Sequence, residues 1–324
     1  MRKKLTITFA ILVVLIIALY VFLPHIVLNM VTEYEPYTFE MVLGDEEMRD
    51  DFGIQNNSSP EDYSFASEEI NFQSFDGTRL NGWYIPAKME TNRCLILVHG
   101  RTSNRLKTLK YLALIDTLDL DTLYNIFIPD LRNSGKSQPS KTYMGYKFGE
   151  DVATSILLMD SLYHQNRFFL YGFSMGAMAI LNATGRSDLI DKYADKNIII
   201  EKLILDSPLV NVKETLREES KKSNIPGIVF NNVFELYSQE INGFGENMKI
   251  SKLLDTDIPT LILQSRDDET TRISFLKQEL AGMNNFGNFE TVYFDGPDHV
   301  KMFQDERTNE KYINSVRSFI SNSR

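Results

Sequence analysis

Hydrophobic and polar positions follow three different patterns along this chain. Residues 5–23 carry no charge and only two polar side chains, Thr6 and Thr8, with Arg2, Lys3 and Lys4 just ahead of them. At about 1.5 Å per residue such a run makes a helix of about 28 Å, the thickness of bilayer hydrocarbon, and it has no polar face to turn toward water. A transmembrane signal-anchor is therefore expected over residues 1–24. A cleaved signal peptide would need a shorter apolar core and a small-residue exit; the exit here reads Val21-Phe22-Leu23-Pro24-His25-Ile26. With the basic residues ahead of the run, the positive-inside rule puts the N-terminus in the cytoplasm and the rest outside it, a single-pass membrane protein. Residues 25–65 mix acidic side chains with scattered aromatics and hold the turn signal Asn56-Asn57-Ser58-Ser59-Pro60. That stretch predicts a juxtamembrane stalk or linker.

From about residue 66 short apolar runs alternate with helical periodicity. Strands are predicted at 70–75, 80–85, 94–98, 124–129, 168–172, 202–206, 260–264 and 290–294. The first two are joined by Asp76-Gly77, a hairpin signal. The later ones are short, branched and apolar on both faces, as buried parallel strands must be. Helices are predicted at about 106–118, 147–164, 175–185, 271–283 and 308–321. Such βα alternation implies an α/β fold: a mostly parallel, eight-stranded sheet covered by helices on both faces. The long connection at about 208–258 shows helical patterning with Ile225, Phe230, Phe234 and Phe244, and predicts a small helical cap. These apolar residues are expected mainly to pack the cap onto the body, with some available to line an apolar substrate pocket.

Composition narrows the function classes. The chain has 324 residues, 43% hydrophobic and 24% charged, which suits a globular domain and excludes collagen-like or low-complexity chains. Cys94 is the single cysteine, so neither an internal disulfide nor a Cys-rich zinc cluster can form. A net charge of −10 argues against a nucleic-acid partner, whose phosphates require basic patches. No internal repeat is present.

The sharpest chemical signal is Gly172-Phe173-Ser174-Met175-Gly176. It follows a predicted strand and opens a predicted helix. A G-x-S-x-G at that junction holds its serine on a strained turn with the hydroxyl outward, and the flanking glycines let the chain double back. A serine hydroxyl needs a base. His25, His99, His164 and His299 are the four histidines, and only His299 lies on a loop between the last strand and the last helix. An acid must orient that imidazole. Asp267 and Asp268 end the strand at 260–264, either of which also suits a helix N-cap; Asp206, ending the preceding strand, is held in reserve.

The order Ser174, acid, His299 is the chain order of α/β-hydrolases, and residues 66–324 resemble that family. His99-Gly100-Arg101 after the third strand and Asp130-Leu131-Arg132-Asn133-Ser134-Gly135-Lys136-Ser137 after the fourth are similar to its supporting loops. Aligning Ser265-Arg266-Asp267-Asp268 on the family's h-G-x-x-D pattern selects Asp268 as the triad acid. The resemblance also implies that the backbone N–H groups of Arg101 and Met175 form an oxyanion hole, and that His99 is structural. Asn133 and Ser265 stand where the family usually has glycine, and Pro297-Asp298 where small residues are common. Arg101 and Arg105 are candidates for binding an anionic substrate, against the plainer reading of solvated loop arginines. The resemblance therefore implies a membrane-anchored serine hydrolase of carboxylic esters or thioesters, acting on a small-molecule or acylated substrate without metal or organic cofactor. A serine peptidase on the same fold and a catalytically silent binding protein are the alternatives. The sequence leaves the oligomeric state open.

Overall fold

The computed structural model describes residues 2–255, 257–283 and 288–322. Eight strands make one sheet in the order β1-β2-β4-β3-β5-β6-β7-β8. They are β1 (Glu68–Gln73), β2 (Arg79–Ile85), β3 (Arg93–Val98), β4 (Asn125–Asp130), β5 (Arg167–Phe173), β6 (Ile199–Asp206), β7 (Thr260–Ser265) and β8 (Phe289–Phe294). β1 and β2 are antiparallel, with Asp76-Gly77 in the turn between them, and β2 is antiparallel to β4 as well. Every later pair is parallel, from β3–β4 through β7–β8.

The apolar strands need cover on both sides, and alternate side chains enter two separate cores. Cys94, Ile96, Val98, Phe168 and Leu170 face one core, shared with α5 (Tyr146–Tyr163) and α6 (Met175–Gly185). Leu95, Leu97, Phe169, Tyr171 and Phe173 face the other, shared with α4 (Tyr111–Thr117) and α12 (Asn309–Asn322). α7 (Ser187–Ile190) precedes β6 and α11 (Ile273–Ala281) follows β7; between those strands the chain builds the cap from α8 (Val212–Lys222), α9 (Gly227–Glu240) and α10 (Ile250–Leu253). Phe230 and Phe234 stack with centroids 6.2 Å apart and are buried. Phe244 packs on Tyr146.

The N-terminus departs from expectation. Among the described residues no helix is long and apolar enough to cross a membrane, so the expected transmembrane anchor is corrected. The apolar run belongs to α1 (Arg2–Thr32), which continues through Pro24 instead of ending there. Its rear carries a buried stripe at Pro24, Val27, Leu28 and Thr32, packed against α9 and the turn at Tyr143–Gly145. In sequence the run looks separate from the domain; the stripe that joins them begins at Pro24, where the run ends. With the anchor goes the premise for a single-pass localisation, a cytoplasmic N-terminus, an extracytoplasmic domain and a membrane partner.

The stretch expected as a stalk lies on the domain. α2 (Phe39–Gly44) and α3 (Glu46–Phe52) begin at Thr38 and Asp45, whose side chains accept from the N–H groups of Met41 and Met48. Val42, Phe52 and Ile54 are buried in the second core. Tyr37 bridges to Ser134, and Phe39 lies against Trp83 with ring centroids 5.7 Å apart. Its apolar positions are too few and too spaced to show periodicity, which is why they read as linker.

Candidate active site

β5 turns into α6 at Ser174, whose backbone sits at φ 54°, ψ −118°, a conformation costly for any residue with a side chain. The surroundings hold it there. Its N–H donates to the Asp206 carbonyl at 2.9 Å, and its own carbonyl accepts from Leu209 N–H at 3.1 Å. The turn needs bare backbone at both flanks: a Cβ on Gly172 would come within 2.8 Å of Ala177 N, and one on Gly176 within 2.3 Å of the Val98 carbonyl oxygen.

His299 reaches Ser174 from the loop between β8 and α12. Its Nε2 lies 2.8 Å from Ser174 Oγ, and its Nδ1 lies 2.8 Å from Asp268 Oδ2. With Nδ1–H donating to the carboxylate, Nε2 is left to accept from the serine hydroxyl. The imidazole side chain is 19% exposed and the Asp268 side chain is fully buried. Burial pushes Asp268 up, but the hydrogen bond and charge of His299, with the Thr271 donors, outweigh it and hold the carboxyl below its ordinary value. Oδ1 accepts from Thr270 N–H at 2.8 Å and Thr271 N–H at 2.7 Å, while the Thr271 hydroxyl lies 2.8 Å from Oδ2.

The neighbouring acids have other partners. Asp267 Oδ2 accepts from Gly296 N–H at 2.6 Å, tying the acid loop to the histidine loop. Asp206 ends β6 with its carboxylate buried; it accepts from Tyr312 at 2.6 Å and Ser207 at 2.9 Å, and burial raises its pKa. Ser207 Oγ in turn accepts from Val300 N–H at 3.2 Å, next to His299. Sequence reasoning missed Ser207 and Thr271 as supports. Neither carries a motif, since each works through partners distant in the chain.

The two departures from glycine acquire reasons. Asn133 adopts φ 60°, which asparagine tolerates, and its Nδ2 donates to the Tyr34 carbonyl at 2.7 Å. The Ser265 hydroxyl donates to the Pro297 carbonyl, a second tie between the acid and histidine loops.

His99 is buried; its Nδ1 donates to the Gly100 carbonyl at 2.8 Å and its Nε2 accepts from Leu131 N–H at 2.9 Å. It thus fastens the exits of β3 and β4 together. Gly100 passes so near the serine that a Cβ there would lie 3.0 Å from Ser174 Cβ, which brings the Gly100-Arg101 backbone beside the nucleophile on one side and Met175 on the other. His25 is exposed on α1, and His164 ends α5 at φ 55°. Arg105 is buried against Asp130 at 3.5 Å and Glu69 at 3.2 Å, whereas Arg101 lies over the ring of Tyr34 at 4.6 Å. Among the described residues no group of three or more His, Cys, Asp or Glu side chains is placed to hold a metal ion.

Residues 94–221 match the family model of the alpha/beta hydrolase fold. The chain is 28% identical over 208 residues to the uncharacterized protein YqkD of Bacillus subtilis, covering 61% of this chain and 62% of that one. It is 29% identical over 128 residues to the uncharacterized protein YfhR of Escherichia coli, covering 38% of this chain. The match spans 44% of YfhR, under half its length. Among solved structures, the Pyrococcus furiosus esterase Pf2001 superposes with a TM-score of 0.61 at 23% identity, over 82% of this chain and 95% of that one. A thermostable carboxyl esterase from Bacillus coagulans does so at 0.53 and 17% identity, over 79% and 98%. At such identities the likeness is one of fold. The matched segment carries β3 through the serine turn into the cap, and with the sheet order it shows that the chain has the α/β-hydrolase fold.

Proposed function

We propose that this protein is a serine hydrolase that cleaves carboxylic ester or thioester bonds through an acyl-enzyme. The observation that carries the reading is the unbroken relay from Asp268 through His299 to Ser174, with both links at 2.8 Å. In this reading Ser174 Oγ attacks the carbonyl carbon while its proton passes to His299 Nε2. Asp268 stabilises the imidazolium. The tetrahedral oxyanion takes hydrogen bonds from the backbone N–H groups of Arg101 and Met175, each donor worth about 3–4 kcal/mol in such sites. His299 then returns the proton to the departing alcohol or thiol, and water releases the acyl group by the reverse route. The esterase neighbours of the same fold support an ester as the bond cleaved.

The test is labelling by a fluorophosphonate, followed by turnover of p-nitrophenyl esters, thioesters and amides. Capture at Ser174, abolished in Ser174→Ala, is the expected result. Asp268→Asn should lower kcat by about 10³–10⁴-fold, by analogy with loss of the acid's orienting role. Asp267→Asn should stay within about threefold, since its carboxylate bonds a backbone N–H and not the imidazole. Folded protein that neither labels nor turns over any of the three classes would end the reading.

A further inference from the structure

Buried arginines in this chain come with carboxylates. Arg132 meets Asp151 at 2.7 Å and Asp76 at 2.7 Å, Arg186 meets Asp188 at 2.7 Å, and Arg105 meets Glu69 at 3.2 Å. Arg101 does not. Among the described residues no carboxylate lies within 4.0 Å of its guanidinium, which rests on the face of Tyr34 and places NH1 3.9 Å from the Met144 sulfur. Its Nε is buried with no hydrogen-bond partner. Burial lowers the Arg101 pKa, and Tyr34 and then the carboxylate of Glu219, on α8, offset this only in part. Glu219 itself pairs with Lys222 at 2.8 Å.

Arg101 is itself half-buried; a guanidinium partly withdrawn from water with no ion-pair partner is costly, and a buried donor left unpaired adds to the cost. Its residue leaves the backbone next to the nucleophile. Arg101 follows Gly100, which abuts Ser174, and its contact Met144 precedes Gly145, where an added Cβ would lie 3.1 Å from Met175 Cγ. The planar fork of arginine matches a carboxylate or phosphate with two parallel hydrogen bonds.

We infer that the Arg101 side chain binds an anionic group of the substrate, so that the ester hydrolysed carries a carboxylate or a phosphate a few bonds from its scissile carbonyl. This rests on the serine-hydrolase reading for the bond cleaved, but the anion site itself does not. Two chain-matched comparisons separate the sources of charge. The p-nitrophenyl monoester of succinic acid against p-nitrophenyl butyrate reads the carboxylate, and the p-nitrophenyl ester of 3-phosphopropionic acid against the same butyrate reads the phosphate.

The quantity followed is the ratio of kcat/KM for the charged ester over the neutral one. It should favour one charged ester by about 10- to 100-fold, the range of a charge-assisted hydrogen bond. Arg101→Gln should collapse that ratio toward one, and Arg101→Lys should restore part of it. Calorimetric titration with succinate and inorganic phosphate reads the site without turnover: binding by the wild type, weakened at least about 10-fold in Arg101→Gln, is expected. A ratio near one in the wild type, or a ratio unchanged in folded Arg101→Gln, overturns the inference while leaving the hydrolase reading intact. Calorimetric binding lost in Arg101→Gln, with neither fluorophosphonate labelling nor turnover of any ester, thioester or amide by the wild type, supports the anion site and overturns the hydrolase reading instead. Absence of calorimetric binding in both proteins counts against the site.

Discussion

Replacing Gly176 by alanine tests how tightly the serine turn is built into the sheet. An added Cβ would lie 2.3 Å from the Val98 carbonyl oxygen, 2.4 Å from that of His99 and 2.9 Å from the His99 carbonyl carbon. All three are backbone atoms at the exit of β3, so no rotamer change relieves the contact. Restoring even a close Cβ contact moves the start of α6 away from β3 by at least about 0.7 Å. Overpacking of that kind costs about 1–3 kcal/mol of stability. The larger effect falls on chemistry. Met175 N–H rides on the displaced helix start, whereas Gly100-Arg101 stays with β3, so the two proposed oxyanion donors separate along the direction of the shift. Misplacement by about 1 Å costs about 10²-fold in rate. The assay is the pseudo-first-order rate of fluorophosphonate labelling, with urea unfolding on the same samples. Gly176→Ala should label about 10²-fold more slowly while remaining folded. Gly227→Ala, where the new methyl meets nothing within 4 Å, should match the wild type in both measurements. Gly100→Ala, with its closest contact at 3.0 Å, should fall between them. Folded Gly176→Ala labelling within about threefold of wild type would refute the claim that this approach sets the geometry of the donors.

Two further outcomes concern stability. Asp151 on α5 binds the buried Arg132 through Nε at 3.0 Å and NH2 at 2.7 Å, and also accepts from Ser74 at 2.7 Å. Asp151→Ala should therefore cost about 3–5 kcal/mol in urea unfolding, because it leaves a buried guanidinium opposed by the half-exposed Asp76 at 2.7 Å and by Glu150 at 4.0 Å; a loss under about 1 kcal/mol would contradict this. Asp51 on α3 lies 2.8 Å from Lys107 and 3.0 Å from Lys301, and although burial raises it, the two ammonium groups bring it down to about 2. A folded-state value below the unfolded one means that its stabilisation is complete above about pH 4 and is lost as pH falls through the folded value. The stability gap between wild type and Asp51→Asn should shrink from pH 6 to pH 3; because the carboxylate is half-exposed, the gap at pH 6 should be about 1 kcal/mol or less. An equal gap at both pH values would show that the pairing does not titrate as described.

Much of the framework was legible along the chain. All eight strands and the five helices read from periodicity are present, because burial on both faces of a parallel sheet forces apolar runs that no loop produces. The serine turn was legible because its constraints are local: a strand, two glycines and a helix within a few residues. The choice between Asp267 and Asp268 was different. Their side chains diverge on adjacent backbone positions, one toward Gly296 N–H and the other toward His299, and no composition encodes that.

The front of α1 shows the opposite failure. Its unbroken apolar run read as a membrane anchor because hydropathy counts residues and not neighbours, while the structure joins its rear to the cap through Pro24, Val27, Leu28 and Thr32. The same holds for the arginines. Arg101 and Arg105 are four residues apart and alike in sequence, yet Arg105 pairs with Asp130 and Glu69, while Arg101 lies on an aromatic face beside a sulfur with no carboxylate within 4.0 Å among the described residues. Within residues 66–324 the sequence alone determined the strands, the main helices and which serine sits on the strained turn, since those depend on periodicity and short-range sterics. Only the tertiary structure decided which acid meets the histidine, which arginine lacks a counter-ion and where the first helix lies, because each depends on electrostatic or packing contacts between residues far apart in the chain.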